Sequence, residues 1–169
     1  MKVIEIFTDG ATPNNQNKGN VGRTGGVGVF FGDDDPRNIS IKLKETKSLK
    51  VTNNVCELTA CLMGIISIIT TSNINDTSII IYSDSKYVID SITKWSKNWE
   101  KNGWLKSDGK PVDNLDLIKK IYYLYLNHNI KFIHVNSHTK EPSDKTSEKY
   151  KLWYGNKMAD KLAVKSAKI

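Results

Sequence analysis

The period of the apolar positions changes several times along the chain. Residues 2–8 read as a strand, followed by an Asn/Gly-rich turn region from Gly10 to Gly26. Residues 26–32 and 38–44 read as two more strands joined by a turn at Asp33–Pro36, which makes an antiparallel meander with short connections. From Asn54 to about Thr70, Val55, Leu58, Leu62, Ile65, Ile66 and Ile69 keep helical spacing. Residues 78–83 form a continuous apolar run between Asp76 and Asp84, the pattern of a parallel strand buried on both faces. A helix is predicted from Ser85, another over 114–127, a last strand over 130–135 and a closing helix over 154–167. This succession of strands and helices predicts an α/β fold: a mixed five-stranded sheet, its first three strands antiparallel, with helices on both faces. Residues 137–154, polar and lysine-rich, match no pattern. No repeat, linker or low-complexity block divides the chain, so one domain over residues 1–169 is expected.

Composition sharpens this picture. With 38% hydrophobic and 25% charged residues, the 169-residue chain has enough apolar material for a solid core. Lys+Arg number 25 against 18 Asp+Glu, a net charge of +7, and only Arg23 and Arg37 are arginines. A lysine surface of this kind favours a polyanionic partner, nucleic acid first and an anionic membrane second. The longest apolar stretch, Leu58 to Ile69, falls short of the roughly 20 residues that span a bilayer. Acids stand in residues 1–9 where a signal peptide would be apolar, so an intracellular, soluble protein is expected. Cys56 and Cys61 lie within a helical pattern and lack zinc-type partners, which argues against a disulfide scaffold or a zinc module.

The candidate chemistry is carboxylate chemistry. Asp9 and Asp84 each end a predicted strand, and in open α/β sheets those strand ends converge on the ligand crevice. Glu57 falls on the first turn of the helix predicted near Asn54, and Asp160 falls on the last helix. Oxygen donors from four separate elements suit Mg²⁺ or Mn²⁺ rather than zinc. Each acid also has an ordinary explanation. Asp9 before Gly10 is a turn residue, Asp84–Ser85 an N-cap, Asn54 with Glu57 a capping box, and Asp160 a solvated helix face. Only their joint placement points to a metal site.

The chain resembles ribonuclease H type 1 along nearly its whole length. The residues that carry the resemblance are Phe7-Thr-Asp-Gly10, Thr52-Asn-Asn-Val-Cys-Glu-Leu58, Tyr82-Ser-Asp-Ser-Lys-Tyr-Val88, Trp95-Ser-Lys-Asn-Trp99, Asn102-Gly-Trp104, Val135-Asn-Ser-His138 and Gly155-Asn-Lys-Met-Ala-Asp160. The stretch Gly32–Leu43 looks more like eukaryotic members, although the separate N-terminal hybrid-binding domain that many of them carry is not expected here. The resemblance implies a ribonuclease H-like fold and endonucleolytic hydrolysis of the RNA strand of RNA/DNA hybrids. It implies two Mg²⁺ ions, with Mn²⁺ as a substitute, and products with 5′-phosphate and 3′-hydroxyl ends. Asp9, Glu57, Asp84 and Asp160 match the family's metal-binding carboxylates, and His138 matches its mobile histidine, which assists proton transfer or product release. A monomer that does not engage membranes is expected.

The resemblance also implies a substrate-binding set. Asn53 and Asn54 offer amides that both donate and accept at sugar edges. Asn20 is the choice for a further RNA contact, with Asn14 and Asn15 competing in the same long loop. Thr52, Asn114 and Lys50 match a DNA-phosphate pocket, where Lys50 replaces a common Arg and so exchanges a bidentate clasp for a point charge. Trp95 and Ser107 match the DNA-sugar channel. Residues 94–110 interleave Lys94, Lys97, Lys101, Lys106 and Lys110 with Trp95, Trp99 and Trp104. That pattern fits either a basic binding protrusion or a buried aromatic stripe with a wet lysine face. Two other functions share the fold, a catalytically idle hybrid-binding module and a two-metal nuclease or integrase acting on DNA. Between His138 and Asp160 the chain is longer than the family's usual spacing. The extra segment, residues 139–154, is expected to be either a mobile flap beside the scissile phosphate or a neutral insertion. Tyr150, Trp153 and Tyr154 would tether its far end or extend the last helix backwards by about a turn.

Overall fold

The computed structural model describes residues 1–13 and 22–168. Its centre is a five-stranded sheet of β1 (Lys2–Ala11), β2 (Thr24–Phe30), β3 (Ile39–Lys44), β4 (Thr77–Ser83) and β5 (Asn129–His134), in the order β3-β2-β1-β4-β5. β1, β2 and β3 pair antiparallel, whereas β4 joins β1 and β5 joins β4 in parallel. This is the mixed sheet predicted from the apolar pattern. The helices are α1 (Asn53–Thr71), α2 (Lys86–Asp90), α3 (Ser96–Lys101), α4 (Leu115–Asn127) and α5 (Glu148–Ala167). A π-helical turn, Ser91–Trp95, joins α2 to α3, where the buried Ser96 hydroxyl donates to the Ser91 carbonyl at 2.6 Å.

Alternation along the strands splits the core between two faces. Ile4 and Ile6 of β1, Val27 and Val29 of β2, and Ile79 and Ile81 of β4 pack with Leu58, Ile65, Ile118 and Ile121 of α1 and α4. On the other face Phe7, Phe30 and Tyr82 meet Ala159, Met158 and Leu162 of α5. The helices therefore cover both faces, as expected. By length and composition α1 is apolar enough to cross a membrane, and it is the one such helix among the described residues. Its buried side is the core of this fold, with Leu58, Ala60, Cys61 and Ile65 fully enclosed. Both cysteines are free and buried.

Two features set the depth and length of α5. Gly26 and Gly28 of β2 lie directly under the backbone of Ala163 and Ala159, and a Cβ at either position would collide with those carbonyls. The helix also starts at Glu148, six residues before the predicted Tyr154. Ser147 caps it by accepting from the Tyr150 N–H at 3.1 Å, and Glu148 complements the positive end of the helix dipole. The extra turns are held by Lys151 against Glu5 at 2.6 Å and by the stacked rings of Tyr150 and Tyr154. Of the two expectations for the far end of the 139–154 segment, the backward extension of the last helix is the one seen, and it runs further than a single turn, so residues 148–154 are helix rather than loop. The part before α5 is organised by Asp144, which accepts from the Thr146 N–H and hydroxyl at 2.9 and 2.6 Å. It is pinned at Thr139, whose carbonyl accepts from the Trp153 indole N–H at 3.1 Å.

Candidate active site

Parallel register sets the first pair of acids. Thr8 pairs with Ser83, so Asp9 and Asp84 leave neighbouring strands side by side. Asp9 is still within β1, paired with Gly28, and is 4% exposed, which removes the turn-residue explanation. Its Oδ1 accepts from the Gly10 N–H at 3.0 Å. Gly10 lets α1 approach: a Cβ there would lie 2.5 Å from the Glu57 nitrogen and 2.6 Å from the Cys56 carbonyl carbon. The cap of α1 is Thr52, whose hydroxyl accepts from the Val55 N–H at 3.1 Å. This corrects the capping-box alternative and the first-turn placement, since Glu57 belongs to the second turn and points inward, 5% exposed. Ser85, not Asp84, caps α2 by accepting from the Val88 N–H. The ordinary explanations for Glu57 and Asp84 therefore fail. Carboxylate oxygens of Asp9, Glu57 and Asp84 all lie within 4.8 Å of one another.

Burial and like charge act together on this cluster. Burial, then the charges of Glu57 and Asp84, push the Asp9 carboxyl well above the usual carboxylate range. Glu57 is also raised, chiefly by burial and then by the Asp84 charge, although hydrogen bonds from Asp9 and the Gly10 N–H oppose this. Asp84 is raised by burial and by Asp160, against the pull of an Asn156 hydrogen bond and the nearby His138 and His134. Glu57 Oε2 is buried and has no hydrogen-bond partner among the described residues. Crowded carboxylates with an orphaned oxygen need either protons or a cation. An all-oxygen donor set of this kind fits a hard divalent cation.

Asp160 approaches from the opposite side on α5. It is close enough to Asp9 for a hydrogen bond between their carboxyl groups, and it lies outside the tight group of three. With Asp84, His138, Asn136, Asn156 and Lys157 it lines a pocket of about 200 Å³. His138 is exposed at the rim, with a left-handed backbone at φ 54°. Strain at a non-glycine residue of this kind accompanies functional loops.

The family model described as RNase H matches residues 1–168. The chain belongs to the RNase H family. Ribonuclease H of Schizosaccharomyces pombe is 38% identical over 164 residues, 96% of this chain and 52% of that protein. The Ribonuclease H of Ruthia magnifica subsp. Calyptogena magnifica is 37% identical over 164 residues, 96% and 94% of the two chains. The chain thus spans about half the length of the first RNase H and nearly all of the second. Among solved structures, LC9-RNase H1 aligns with TM-score 0.69 and 21% identity over 99% of this chain and 73% of that one. A foamy viral protease-reverse transcriptase in complex with RNA/DNA hybrid aligns with TM-score 0.72 and 21% identity, over 97% and 20%. These two likenesses show that the sheet and helices are those of an RNase H fold.

The substrate set implied by the RNase H resemblance is dispersed around the site. Asn53 and Asn54 are exposed at the start of α1, beside the half-buried Thr52. Lys50 and Ser107 are exposed. Asn114 has a left-handed backbone before α4 and donates from Nδ2 to the Tyr87 hydroxyl at 3.1 Å. Tyr87 in turn meets Trp95 edge-on, so Asn114 and Trp95 share one surface. Asn20, with Asn14 and Asn15, lies outside the described residues. The aromatic alternatives divide by residue: Trp95 is 41% exposed, Trp104 is in the core, and Trp99 packs against that core. Asn156, absent from the expected site residues, is 7% exposed and hydrogen-bonded to Asp84. Its signal was available, since it precedes Asp160 by one helical turn and shares its face.

Proposed function

We propose that the chain is a ribonuclease H that cuts the RNA strand of RNA/DNA hybrids. The observation that carries this reading is the trio Asp9, Glu57 and Asp84, crowded within 4.8 Å with one buried oxygen unpartnered, on a protein of net charge +7. Asp9, Glu57, Asp84 and Asp160 would hold two divalent cations, Mg²⁺ with Mn²⁺ as a substitute. When bound, such ions supply an activated water and stabilise the leaving oxygen. The chain's own part is to crowd the carboxylates where burial and mutual repulsion favour a proton or a cation, so that a bound cation would displace the proton. Asn156 orients Asp84 and favours its charged form. His138, exposed beside Asp84 and Asp160, moves a proton at the scissile phosphate or eases release of the product. Retention of the phosphate on the 5′ end of one product and a hydroxyl on the 3′ end of the other follows from water attack with loss of the 3′ oxygen. Thr52, Asn114 and Lys50 would hold a phosphate of the DNA strand, Trp95 and Ser107 its sugars, and Asn53, Asn54 and Asn20 the RNA strand. Family membership and the hybrid held by the foamy viral relative of the fold support this substrate.

End-labelled RNA/DNA hybrid, double-stranded RNA and double-stranded DNA, each with Mg²⁺ and with EDTA, test the reading. Only the RNA of the hybrid should be cut, and only with Mg²⁺. Asp84→Asn should lower that rate by more than about 10³-fold. Cleavage in EDTA, cleavage of double-stranded DNA, or a near wild-type rate for the variant would overturn it.

A further inference from the structure

The lengthened β5–α5 segment builds a second depression that the proposed chemistry does not use. It has a volume of about 350 Å³ and is walled by His134, Asn136, Lys140, Pro142, Lys149 and Trp153, among others. Asn136, Thr139 and Trp153 line both it and the pocket of Asp84 and Asp160. The two depressions therefore adjoin across these shared residues, between the carboxylates and the first turns of α5. No carboxylate lines the outer one. Two acids of this segment are engaged elsewhere: Glu148 approaches Lys151 at 3.9 Å, and Asp144 holds Thr146. Among the described residues, Lys140, Lys149 and Lys157 have no salt bridge, and Lys157 stands 4.9 Å over the Trp153 ring at the junction of the two depressions. The indole N–H donates to the Thr139 carbonyl, so two of the residues shared by the depressions hold each other.

We propose that this outer groove is an additional phosphodiester site, which holds the backbone of the strand being cut beyond the scissile phosphate. The inference rests on the proposed hybrid cleavage, because adjacency to the carboxylate pocket is what selects the cleaved strand as the occupant. Unpaired lysines beside a half-buried aromatic ring match a sugar–phosphate chain, and each phosphate they neutralise releases counterions. The extra helical turns of α5 thus become a binding arm that places Lys149.

The test uses the full chain and RNA/DNA hybrid in EDTA, so that binding is read without cleavage. For K140Q/K149Q, the slope of log affinity against log salt should fall in magnitude by about 0.9 for each phosphate that is no longer neutralised. In the unsubstituted protein, hybrid should protect Lys140 and Lys149 from acetylation, read by mass spectrometry, while the exposed Lys2, at the other end of β1 from Asp9, continues to react. If the wild-type protein binds hybrid and cuts it with Mg²⁺ but the slope and both acetylation rates are unchanged, the groove proposal fails alone. A wild-type protein that neither binds nor cuts hybrid removes the proposed function and the groove together. Protection by polyglutamate but not by hybrid would assign the groove to an acidic protein and overturn the inference.

Discussion

Asp9→Asn isolates the electrostatic cost of the cluster. The amide keeps the size of the side chain and the Oδ1 acceptor for the Gly10 N–H, and it removes the charge. Two unit charges 4.8 Å apart, the widest separation in the trio, repel by about 3 kcal/mol at an effective dielectric near 20. Keeping a proton on Asp9 at pH 7 instead, against an unfolded value near 4, costs at most about 4 kcal/mol. Asparagine carries neither cost. In EDTA at pH 7 the variant should be more stable by about 2–4 kcal/mol, a rise in Tm of about 5–15 °C for a chain of this size. The sign of the pH dependence follows from the raised carboxyl. Between the unfolded and folded pKa the native wild-type protein holds the extra proton, so its stability falls as pH rises. Below about pH 4 both states are protonated, and the advantage of the variant should vanish. Mg²⁺ should reverse the ranking in part, because a ligand at 100 times its Kd adds about 2.7 kcal/mol to the state that binds it. Thermal melts at pH 4 and 7, with EDTA and with Mg²⁺, give all four comparisons. A variant no more stable than wild type in EDTA at pH 7, or one that gains as much from Mg²⁺, would refute the reasoning.

Gly10→Ala should cost about 1–3 kcal/mol by pushing α1 from β1, and should lower Mg²⁺-dependent cleavage further than that instability explains; full activity would show that Glu57 is not positioned through this close approach. Thr52→Ala should lose about 1 kcal/mol of stability with the N-cap while Thr52→Ser does not; equal melts would show that the cap is idle, and only the serine variant gives a clean reading of hybrid affinity. His138→Ala should slow cleavage on the order of 10²-fold with metal affinity unchanged, and a collapse of metal affinity in titration would make the histidine a ligand instead.

The strands were legible wherever an apolar run ended in an acid. β4, closed by Asp84, and β1, which carries Asp9, are the clearest cases, and they place both acids at the same end of the sheet. The aromatic residues Tyr150, Trp153 and Tyr154 hinted that α5 reaches back beyond Tyr154, but its start at Glu148 was not legible, because Glu148, Lys149 and Lys151 present a wet face, while their support comes from Glu5 and from ring stacking that periodicity does not record. The π turn at Ser91–Trp95 escaped for a similar reason, as it depends on one buried hydroxyl bond. Glu57 shows the limit from the other side. Its spacing from Asn54 fits a capping box, and only the location of the true cap at Thr52 reveals that the side chain is directed inward. Trp104 carried the signal of a binding aromatic and is a core residue, because flanking lysines look alike in both settings.

The seat of α5 on Gly26 and Gly28 also fixes when the site can come into being during synthesis. Strands and α1 bearing Asp9, Glu57 and Asp84 leave the ribosome first, and Asp160 follows on the last described helix. A nascent chain lacking α5 has an uncovered glycine-floored sheet face and three of the four acids. Domains fold as units once their parts are available, so docking of α5 both closes the core and delivers the last acid.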